Sequence, residues 1–321
     1  MVIERKKYIA QLLDSRHNGL IKIITGIRRC GKTTLLLQLI GELKKRAVKE
    51  ENIIYLDFEQ VGCSYHYEPK ELCGDLLDKV FNLSGTIYII FDEISCLDNW
   101  QTLVKSLRDN HNCDIYIASS NASIFDKNFT SDFKNSYAQI KVNPLNFKEY
   151  LELAKENQSE ADFTNDEHYK NFIKFGGMPF LHHIQWSEST NFNYLESLYC
   201  TILSKDILDI SKIRNVNLLN RIFYFILQNQ DRTYNAKTIA DEMRPKGIKL
   251  GTQTVYNYLE ALTNAYLIHK DSELDLKFAD EHKTKGKYYI TDRGLRYALI
   301  GYRDPVLTET SLKFPPAENN L

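Results

Sequence analysis

Residues 26–33 combine two glycines, a lysine and a threonine in a spacing that suits phosphate binding. They read Gly-Ile-Arg-Arg-Cys-Gly-Lys-Thr, which fits the pattern G-x-x-x-x-G-K-[ST]. Gly26 and Gly31 allow the backbone to turn its N–H groups towards phosphates at the positive end of a following helix. Lys32 is then expected to neutralise the β- and γ-phosphates, and the Thr33 hydroxyl to ligate Mg²⁺. The spacing therefore predicts a site for ATP or GTP with Mg²⁺.

The whole loop is expected to surround the phosphates. The predicted nucleotide-binding residues are Gly26, Ile27, Arg28, Arg29, Cys30, Gly31, Lys32, Thr33 and Thr34. Two roles stay open for Arg28 and Arg29, which are contact with phosphate and pairing with acidic side chains elsewhere in the chain.

Two acidic residues follow the apolar run 87–91, which predicts a buried strand. We expect this strand to lie beside the phosphate-loop strand, with Asp92 holding Mg²⁺ at its carboxyl end. Glu93, one residue further on, is expected to polarise the attacking water. A solvated turn is the alternative for such a pair, but the complete phosphate loop favours the metal and water roles. A glutamate in this place favours hydrolysis over phosphoryl transfer to a small molecule.

Small polar residues mark the end of the next predicted strand, at Ser119, Ser120 and Asn121. We expect the Asn121 amide to contact the γ-phosphate or the water and so to sense the nucleotide state. Asparagine after a strand is also a common turn residue or helix cap. The predicted catalytic residues are therefore Glu93, Lys32 and Asn121.

These side chains need a parallel sheet to bring them to one edge. Five short runs rich in β-branched and aromatic residues start near residues 20, 52, 87, 114 and 138. The segments between them are long enough for crossovers, so residues 1–145 are predicted to form an α/β P-loop core with a five-stranded parallel sheet. The period then becomes helical, which predicts a helical lid over 146–215, broken at Gly176-Gly177-Met178-Pro179.

The third predicted domain covers residues 216–300. Helices are expected over 218–227, 236–243 and 252–262, followed by two apolar runs, 267–270 and 287–290, that bracket a polar hairpin. This is the order of a winged helix. Residues 301–321 are expected to form a loop or frayed tail.

The predicted winged helix contains 13 Lys and Arg against 10 Asp and Glu, a weakly basic balance. Two uses stay open. Gln253 and Asn257 are candidates for base reading in duplex DNA, with phosphate contacts from Lys246, Lys249 and the segment 282–287. Alternatively, the domain is a packing or protein-interaction module.

Composition limits the classes of partner. The 321 residues carry 41 Lys and Arg against 42 Asp and Glu, so no overall basic field attracts nucleic acid or a membrane surface. Six cysteines form no C-x-x-C pair, which favours buried thiols in a reducing cytoplasm. The amino terminus is charged, and no stretch approaches the ~18 apolar residues of a membrane span. We therefore expect a cytoplasmic protein without a membrane partner.

Several motifs together resemble those of the prokaryotic AAA-type ATPases that end in a restriction-endonuclease-like domain of unknown function. They are residues 23–36, Phe91-Asp92-Glu93-Ile94, Ser119-Ser120-Asn121-Ala122, Pro144-Leu145-Asn146-Phe147-Lys148-Glu149-Tyr150, Phe175-Gly176-Gly177-Met178-Pro179 and residues 287–296. The resemblance covers nearly the whole chain. It implies an AAA ATPase core, a helical lid, a winged helix and, usually, the nuclease-like tail.

The chain departs from that family at two positions. A Gly-Arg pair is replaced by Asn135-Ser136-Tyr137, and an arginine by Ile210. If either family arginine acts as a finger on a neighbour's γ-phosphate, Arg108 and Arg214 are the nearest alternatives in a homo-oligomer. The sequence stops about where the nuclease-like tail would begin, so we expect no nuclease activity.

Two functions follow from these residues. The first is an Mg²⁺-dependent ATPase that couples nucleotide state to the lid and winged helix. The second is a nucleotide-gated switch that binds DNA or protein with little turnover.

Overall fold

A computed structural model describes residues 2–59, 69–110, 112–125, 127–156, 163–211, 213–230, 232–246, 250–271 and 286–301. A five-stranded parallel sheet forms the first half of the chain. Its strands are β1 (Ile21–Thr25), β2 (Ile53–Asp57), β3 (Ile87–Asp92), β4 (Cys113–Ser119) and β5 (Tyr137–Lys141). The predicted α/β fold with a parallel five-stranded sheet is confirmed.

Helices cover both faces of this sheet. They are α1 (Lys6–Asp14), α2 (Lys32–Lys45), α3 (Pro69–Phe81), α4 (Trp100–Asn110) and α5 (Lys127–Asp132). Alternate strand residues point to opposite faces, so Ile24 packs in the cluster of α1 and α2 while Ile23 packs with α3, α4 and α5. All six residues of β3 are buried, which explains its continuous apolar sequence.

The strand order is β2-β3-β4-β1-β5. The expectation that the strand before Asp92 lies beside the phosphate-loop strand is therefore wrong, because β4 lies between β3 and β1. The order of strands along the chain does not determine their order in space, and β4 pairs with both neighbours in parallel register. The carboxyl ends of β1, β3 and β4 still meet at one edge of the sheet.

The segment after the sheet is helical, as predicted. It contains α6 (Phe147–Glu156), α7 (Asn165–Phe175), a 3₁₀ segment (Pro179–His183), α8 (Glu188–Thr201) and a π-helical segment (Ile202–Leu208). The predicted break is confirmed, since α7 ends at Gly176, whose φ of 77° favours glycine.

The last described part contains α9 (Val216–Gln228), α10 (Ala236–Met243), α11 (Thr252–Asn264), the antiparallel strands β6 (Ile268–Asp271) and β7 (Lys287–Ile290), and α12 (Arg293–Ile300). The three predicted helices and two predicted strands are present. The polar hairpin at 272–285 and the tail at 302–321 lie outside the described residues.

Helix α12 packs against α7 and α8 of the preceding helical segment. Asp292 caps its start by accepting a hydrogen bond from the Leu295 N–H at 3.2 Å. The same carboxylate accepts the Gly177 N–H at 2.8 Å, so one side chain joins α12 to the break after α7. Burial raises the pKa of Asp292 to about 6.

We expect this buried carboxyl to make stability depend on pH. The folded state keeps the Asp292 proton up to about pH 6, while an unfolded aspartate loses it near pH 3.9. The stabilisation linked to that proton is therefore lost as the pH rises through about 6. Asp292→Asn serves as the reference because it cannot lose this proton. Relative to that variant, the parent's free energy of unfolding should be about 1.4 kcal/mol lower at pH 7 than at pH 5.

Urea unfolding at the two pH values checks this prediction. The matched control is Asp98→Asn, because Asp98 is exposed and its replacement should give the same difference from the parent at both pH values. A pH-independent difference for Asp292→Asn would contradict the expected linkage.

The cysteines depart in part from the expectation of buried thiols. Cys30 is buried and Cys113 is half-buried, but Cys96 and Cys200 are exposed. None of these four forms a disulfide. Among the described helices, none is both long and apolar enough to cross a bilayer.

Candidate functional site

The phosphate loop connects β1 to α2 at the carboxyl edge of the sheet. Gly26 has a φ of 154°, and a Cβ there would lie 2.1 Å from the Val142 carbonyl oxygen, so only glycine fits without displacement. Gly31, at the start of α2, has a left-handed φ of 102°. The side chains of Ile27 and Cys30 are buried in the core, so these two residues present only backbone atoms to the inside of the loop.

Lys32 lies inside the curve of this loop. Its Nζ donates hydrogen bonds to the carbonyl oxygens of Gly26 at 3.0 Å and Ile27 at 3.3 Å. The same Nζ lies 3.6 Å from Oε1 of Glu93. The ammonium group is thus held by weak neutral acceptors and one carboxylate, at the place where a phosphate would be enclosed by the loop.

Asp92 ends β3 with its side chain buried. Its Oδ2 accepts a hydrogen bond from the Tyr55 hydroxyl at 3.4 Å, and the Thr33 hydroxyl lies near this carboxylate. Its Oδ1 has no hydrogen-bond partner among the described residues. Burial raises the pKa of Asp92 to about 6, against the lowering effect of the Thr33 hydroxyl. An unsatisfied buried carboxylate oxygen beside a hydroxyl suits a hard cation.

Glu93 is held in one orientation by the end of β4. Its backbone is left-handed, with a φ of 51°, and its N–H donates to the Ala118 carbonyl at 3.0 Å. Its Oε2 accepts two hydrogen bonds from Ser120, from the backbone N–H at 2.9 Å and from Oγ at 3.0 Å. Ser120 therefore fixes one carboxylate oxygen while the other faces Lys32.

Arg28 pairs with two carboxylates. Its Nε and Nη2 donate to Oδ2 and Oδ1 of Asp206 at 2.7 and 2.8 Å, and its Nη1 donates to both oxygens of Glu59 at 2.8 and 2.9 Å. Of the two roles left open for this arginine, pairing with acids is the one that the contacts present. Asp206 lies on the π-helical segment, and no motif in the sequence indicated it as a site residue.

Arg29 has a positive φ of 63°, which is uncommon for a residue with a side chain. Its guanidinium carbon lies 6.0 Å from the ring centre of Phe180, and its positive charge opposes the rise in the pKa of Tyr194 that burial causes. The Phe180 and Tyr194 rings lie 5.1 Å apart. This arginine thus contacts the helical segment through aromatic side chains.

Asn121 is buried among protein groups. Its Nδ2 donates to the Asp206 carbonyl at 2.6 Å, and its Oδ1 accepts the Ser123 N–H at 2.8 Å. The amide therefore caps the 3₁₀ segment Ala122–Phe125 that follows it. Both of its polar atoms have protein partners, and its sensor role stays a prediction.

A cavity of about 550 Å³ opens at this edge of the sheet and brings most of the predicted site residues together. Its lining comprises Arg28, Arg29, Gly31, Lys32, Thr33, Thr34, Asp57, Glu59, Asp92, Glu93, Pro179, Phe180, His183 and Thr201. A smaller, largely apolar pocket lies beside the loop, between Ile3, Leu35, Leu145 and Pro179.

The two finger candidates lie elsewhere. Arg108 donates to Asp109 at 3.2 Å, and its guanidinium carbon lies 5.6 Å from the ring centre of Phe133. Arg214 is exposed between the π-helical segment and α9. Neither lines the cavity described above.

Two known families match the chain. The family described as "AAA domain" matches residues 18–151. A domain of unknown function (DUF8612) matches residues 166–306. Together they cover the sheet and the helical parts that follow it.

The chain is 30% identical over 300 residues to an uncharacterised protein of Haemophilus influenzae, covering 94% of this chain and 74% of that protein. It is 29% identical over 253 residues to an uncharacterised protein of Methanocaldococcus jannaschii, covering 77% of this chain and 55% of that one. The Walker-type ATPase PABY2304 of Pyrococcus abyssi has a similar fold, with a TM-score of 0.65, 17% identity, and coverage of 92% and 96% of the two chains.

Proposed function

This chain belongs to a prokaryotic family of AAA-type ATPases, and we propose that it binds ATP with Mg²⁺ and hydrolyses the terminal phosphate. One observation carries this proposal. Lys32, Thr33, Asp92 and Glu93 come from two different strand ends and line a single cavity. These are a phosphate-binding cation, two oxygen ligands for a metal and a carboxylate for water, which together suffice for phosphoanhydride hydrolysis.

The residues present fit Mg²⁺. The Thr33 hydroxyl and the unsatisfied Oδ1 of Asp92 offer the oxygen ligands that this ion prefers. Within the described residues, no group of three or more His, Cys, Asp or Glu side chains could hold a metal alone. The ion would therefore complete its shell with phosphate oxygens and water, and would neutralise charge on the phosphates when bound.

Binding requires Lys32 to exchange its carbonyl partners for phosphate oxygens. The hydrogen bonds to Gly26 and Ile27 are to neutral acceptors, whereas bonds between an ammonium group and phosphate are charge-assisted and about twice as strong. Loop N–H groups and the positive end of α2 add to this attraction. Glu93, oriented by Ser120, would then accept a proton from water that attacks the γ-phosphate.

Contacts in the protein offer a route from this site to the rest of the chain. Asn121 bonds to Asp206 of the π-helical segment and caps the 3₁₀ segment Ala122–Phe125. That 3₁₀ segment packs against α11. We propose that residues 1–145 form the core, 146–215 the lid and 216–300 the winged helix, followed by a tail at 301–321. These contacts would couple the core to the lid and the winged helix.

Binding of a fluorescent ATP analogue and release of phosphate, each with Mg²⁺ and with EDTA, test the proposal. We expect Mg²⁺-dependent binding and measurable turnover. Binding without turnover would instead favour the switch, and absence of binding would contradict both functions.

One observation favours a DNA-binding switch as the second candidate. Gln253 and Asn257 lie one turn apart on α11, both are exposed, and they bond to each other at 3.0 Å. Paired amides on an exposed helix face suit the edge of adenine. Lys249 and most of the wing, 272–285, lie outside the described residues, so their predicted phosphate contacts stay predictions.

We expect weak but salt-sensitive DNA binding if this candidate is correct. Counterion release lowers log K by about 0.9 per neutralised phosphate, so five lysines give a slope against log salt of no more than about 4 to 5. Replacing Lys283, Lys285 and Lys287 with Gln should reduce the slope by up to about 3 for all sequences. Asn257→Ala should instead change the preference between sequences.

Fluorescence anisotropy on duplex DNA at several salt concentrations measures both effects. If the parent protein does not bind duplex DNA even at low salt, the winged helix is a protein-contact module.

A further inference from the structure

Arg28 is a second cation in the nucleotide cavity, and its partners suggest a role beyond loop structure. Its side chain is 12% exposed and lines the same cavity as Lys32 and Glu93. Its Nη2 lies 3.4 Å from Oγ of Ser120, the hydroxyl that also bonds Glu93 at 3.0 Å. The guanidinium is therefore one hydroxyl away from the proposed water-polarising carboxylate.

The two carboxylates bound to Arg28 differ in character. Asp206 is buried, only 2% exposed, and takes Nε and Nη2 in a two-point contact. Its Oδ1 also lies 2.9 Å from Ser120 Oγ, so the single proton of that hydroxyl is shared between Asp206 and Glu93. Glu59 is 46% exposed and binds only Nη1. A half-exposed ion pair contributes little, whereas a buried arginine–carboxylate pair is costly to break.

Because of this difference, Nη1 of Arg28 can change its partner more easily than Nε and Nη2 can. Phosphate competes well with a carboxylate for the planar fork of arginine, so a terminal phosphate in the cavity can replace Glu59 at Nη1. Asp206 keeps its hold on Nε and Nη2 during that exchange and aims the side chain. Four carboxylates line the cavity, those of Asp57, Glu59, Asp92 and Glu93. Arg29 lies against the Phe180 ring, so an incoming polyphosphate needs the positive charge of Arg28 as well as that of Lys32.

We propose that Arg28 is an arginine supplied in cis to the terminal phosphate of ATP, with Asp206 as its positioning residue and Glu59 as an exchangeable placeholder. This rests on the proposed ATPase function and adds a residue to it. An arginine on the transferring phosphoryl group stabilises the charge that develops in the transition state. It contacts the γ-phosphate, so ADP does not engage it.

The main experiment compares Arg28→Ala and Arg28→Lys with the parent in affinity for a non-hydrolysable ATP analogue, affinity for ADP, and kcat. We expect Arg28→Ala to lose about tenfold in ATP-analogue affinity, to keep ADP affinity within about twofold, and to lose about 10³ in kcat. Arg28→Lys should keep more affinity but little turnover, because it lacks the fork. Equal losses for ATP analogue and ADP, or kcat within threefold of the parent, would overturn the proposal.

The control for an arginine replacement is Arg46→Ala. Arg46 is an exposed arginine at the end of α2 that pairs with Glu42, far from the cavity lining. Its replacement should leave kcat and both affinities unchanged. If the parent protein neither binds nor hydrolyses ATP, the proposed ATPase function is wrong. If the parent is active and the Arg28 variants behave like it, only the role assigned to Arg28 is wrong.

Glu59→Gln gives a second test that does not depend on the folding of Arg28→Ala, because Glu59 is at the surface. Loss of the competing carboxylate should raise ATP-analogue affinity severalfold and leave ADP affinity unchanged. Equal affinity for the ATP analogue in parent and variant would contradict the placeholder role.

Mixing distinguishes an arginine in cis from a finger supplied by a neighbour, the role predicted for Arg108 or Arg214. Arg28→Ala and Lys32→Ala are combined in equal amounts and phosphate release is followed. In cis, no chain contains both residues and the mixture stays inactive. Activity above the sum of the two variants would overturn the assignment in cis.

Discussion

Lys32→Ala is expected to abolish nucleotide binding, whereas Glu93→Gln should keep binding and lose hydrolysis. Lys32 is the cation enclosed by the loop, and its removal leaves the phosphates facing Asp92 and Glu93 without the positive charge that the loop encloses. Glutamine retains the size of Glu93 and an oxygen for the Ser120 hydrogen bonds, but it is a poor proton acceptor. Loss of a general base costs about 10² to 10⁴ in rate.

Equilibrium binding of a labelled ATP analogue and steady-state phosphate release measure the two properties separately. A variant of unchanged affinity and strongly reduced kcat has lost an interaction made only in the transition state. Turnover by Glu93→Gln at the parent rate would show that another group activates the water. Tight binding by Lys32→Ala would remove the proposed phosphate site.

Gly294→Ala is expected to destabilise the protein by about 3 kcal/mol, near the upper end for overpacking. A Cβ at Gly294 would lie 1.9 Å from the Phe175 carbonyl oxygen and 3.0 Å from a Leu195 methyl group. The Phe175 carbonyl is part of the α7 backbone, so it cannot move aside as the end of a flexible side chain could. Helix α12 must therefore separate from α7 and lose its packing.

Gly41→Ala is the matched control, since it makes the same chemical change inside a helix. Nothing lies within 4 Å of a Cβ at Gly41, so the added methyl group meets no obstacle in α2. Alanine there should stabilise the protein by about 1 kcal/mol through helix propensity. Urea denaturation of both variants decides the matter, and parent-like stability of Gly294→Ala would contradict the close packing.

The sequence predicted those features that local pattern determines. The glycine spacing predicted the loop, five β-branched and aromatic runs predicted the strands, and Gly176-Gly177-Met178-Pro179 predicted the helical break. The neighbour of β3 was predicted wrongly because strand order depends on contacts between distant segments. The partner of Arg28 was not predictable for the same reason, since Asp206 is separated from it by 178 positions.

The hydrogen bonds by which Ser120 orients the Glu93 carboxylate were predictable only in part. The serine was visible at the end of a strand, and small hydroxyl residues there often bond to neighbouring carboxylates. Its use as a donor to Glu93 depends on β4 pairing directly with β3, and the sequence carries no signal for that adjacency.

The packing of α12 against α7 and α8 limits where the chain can be divided. The apolar side chains of the helical segment and of the last described third, such as Leu195 and Leu295, belong to one continuous cluster. A truncation near residue 215 would remove the side chains that cover the helical segment, and the apolar surface left in water would favour aggregation. Because these parts share one apolar cluster, we expect the helical segment and the last described third to unfold together.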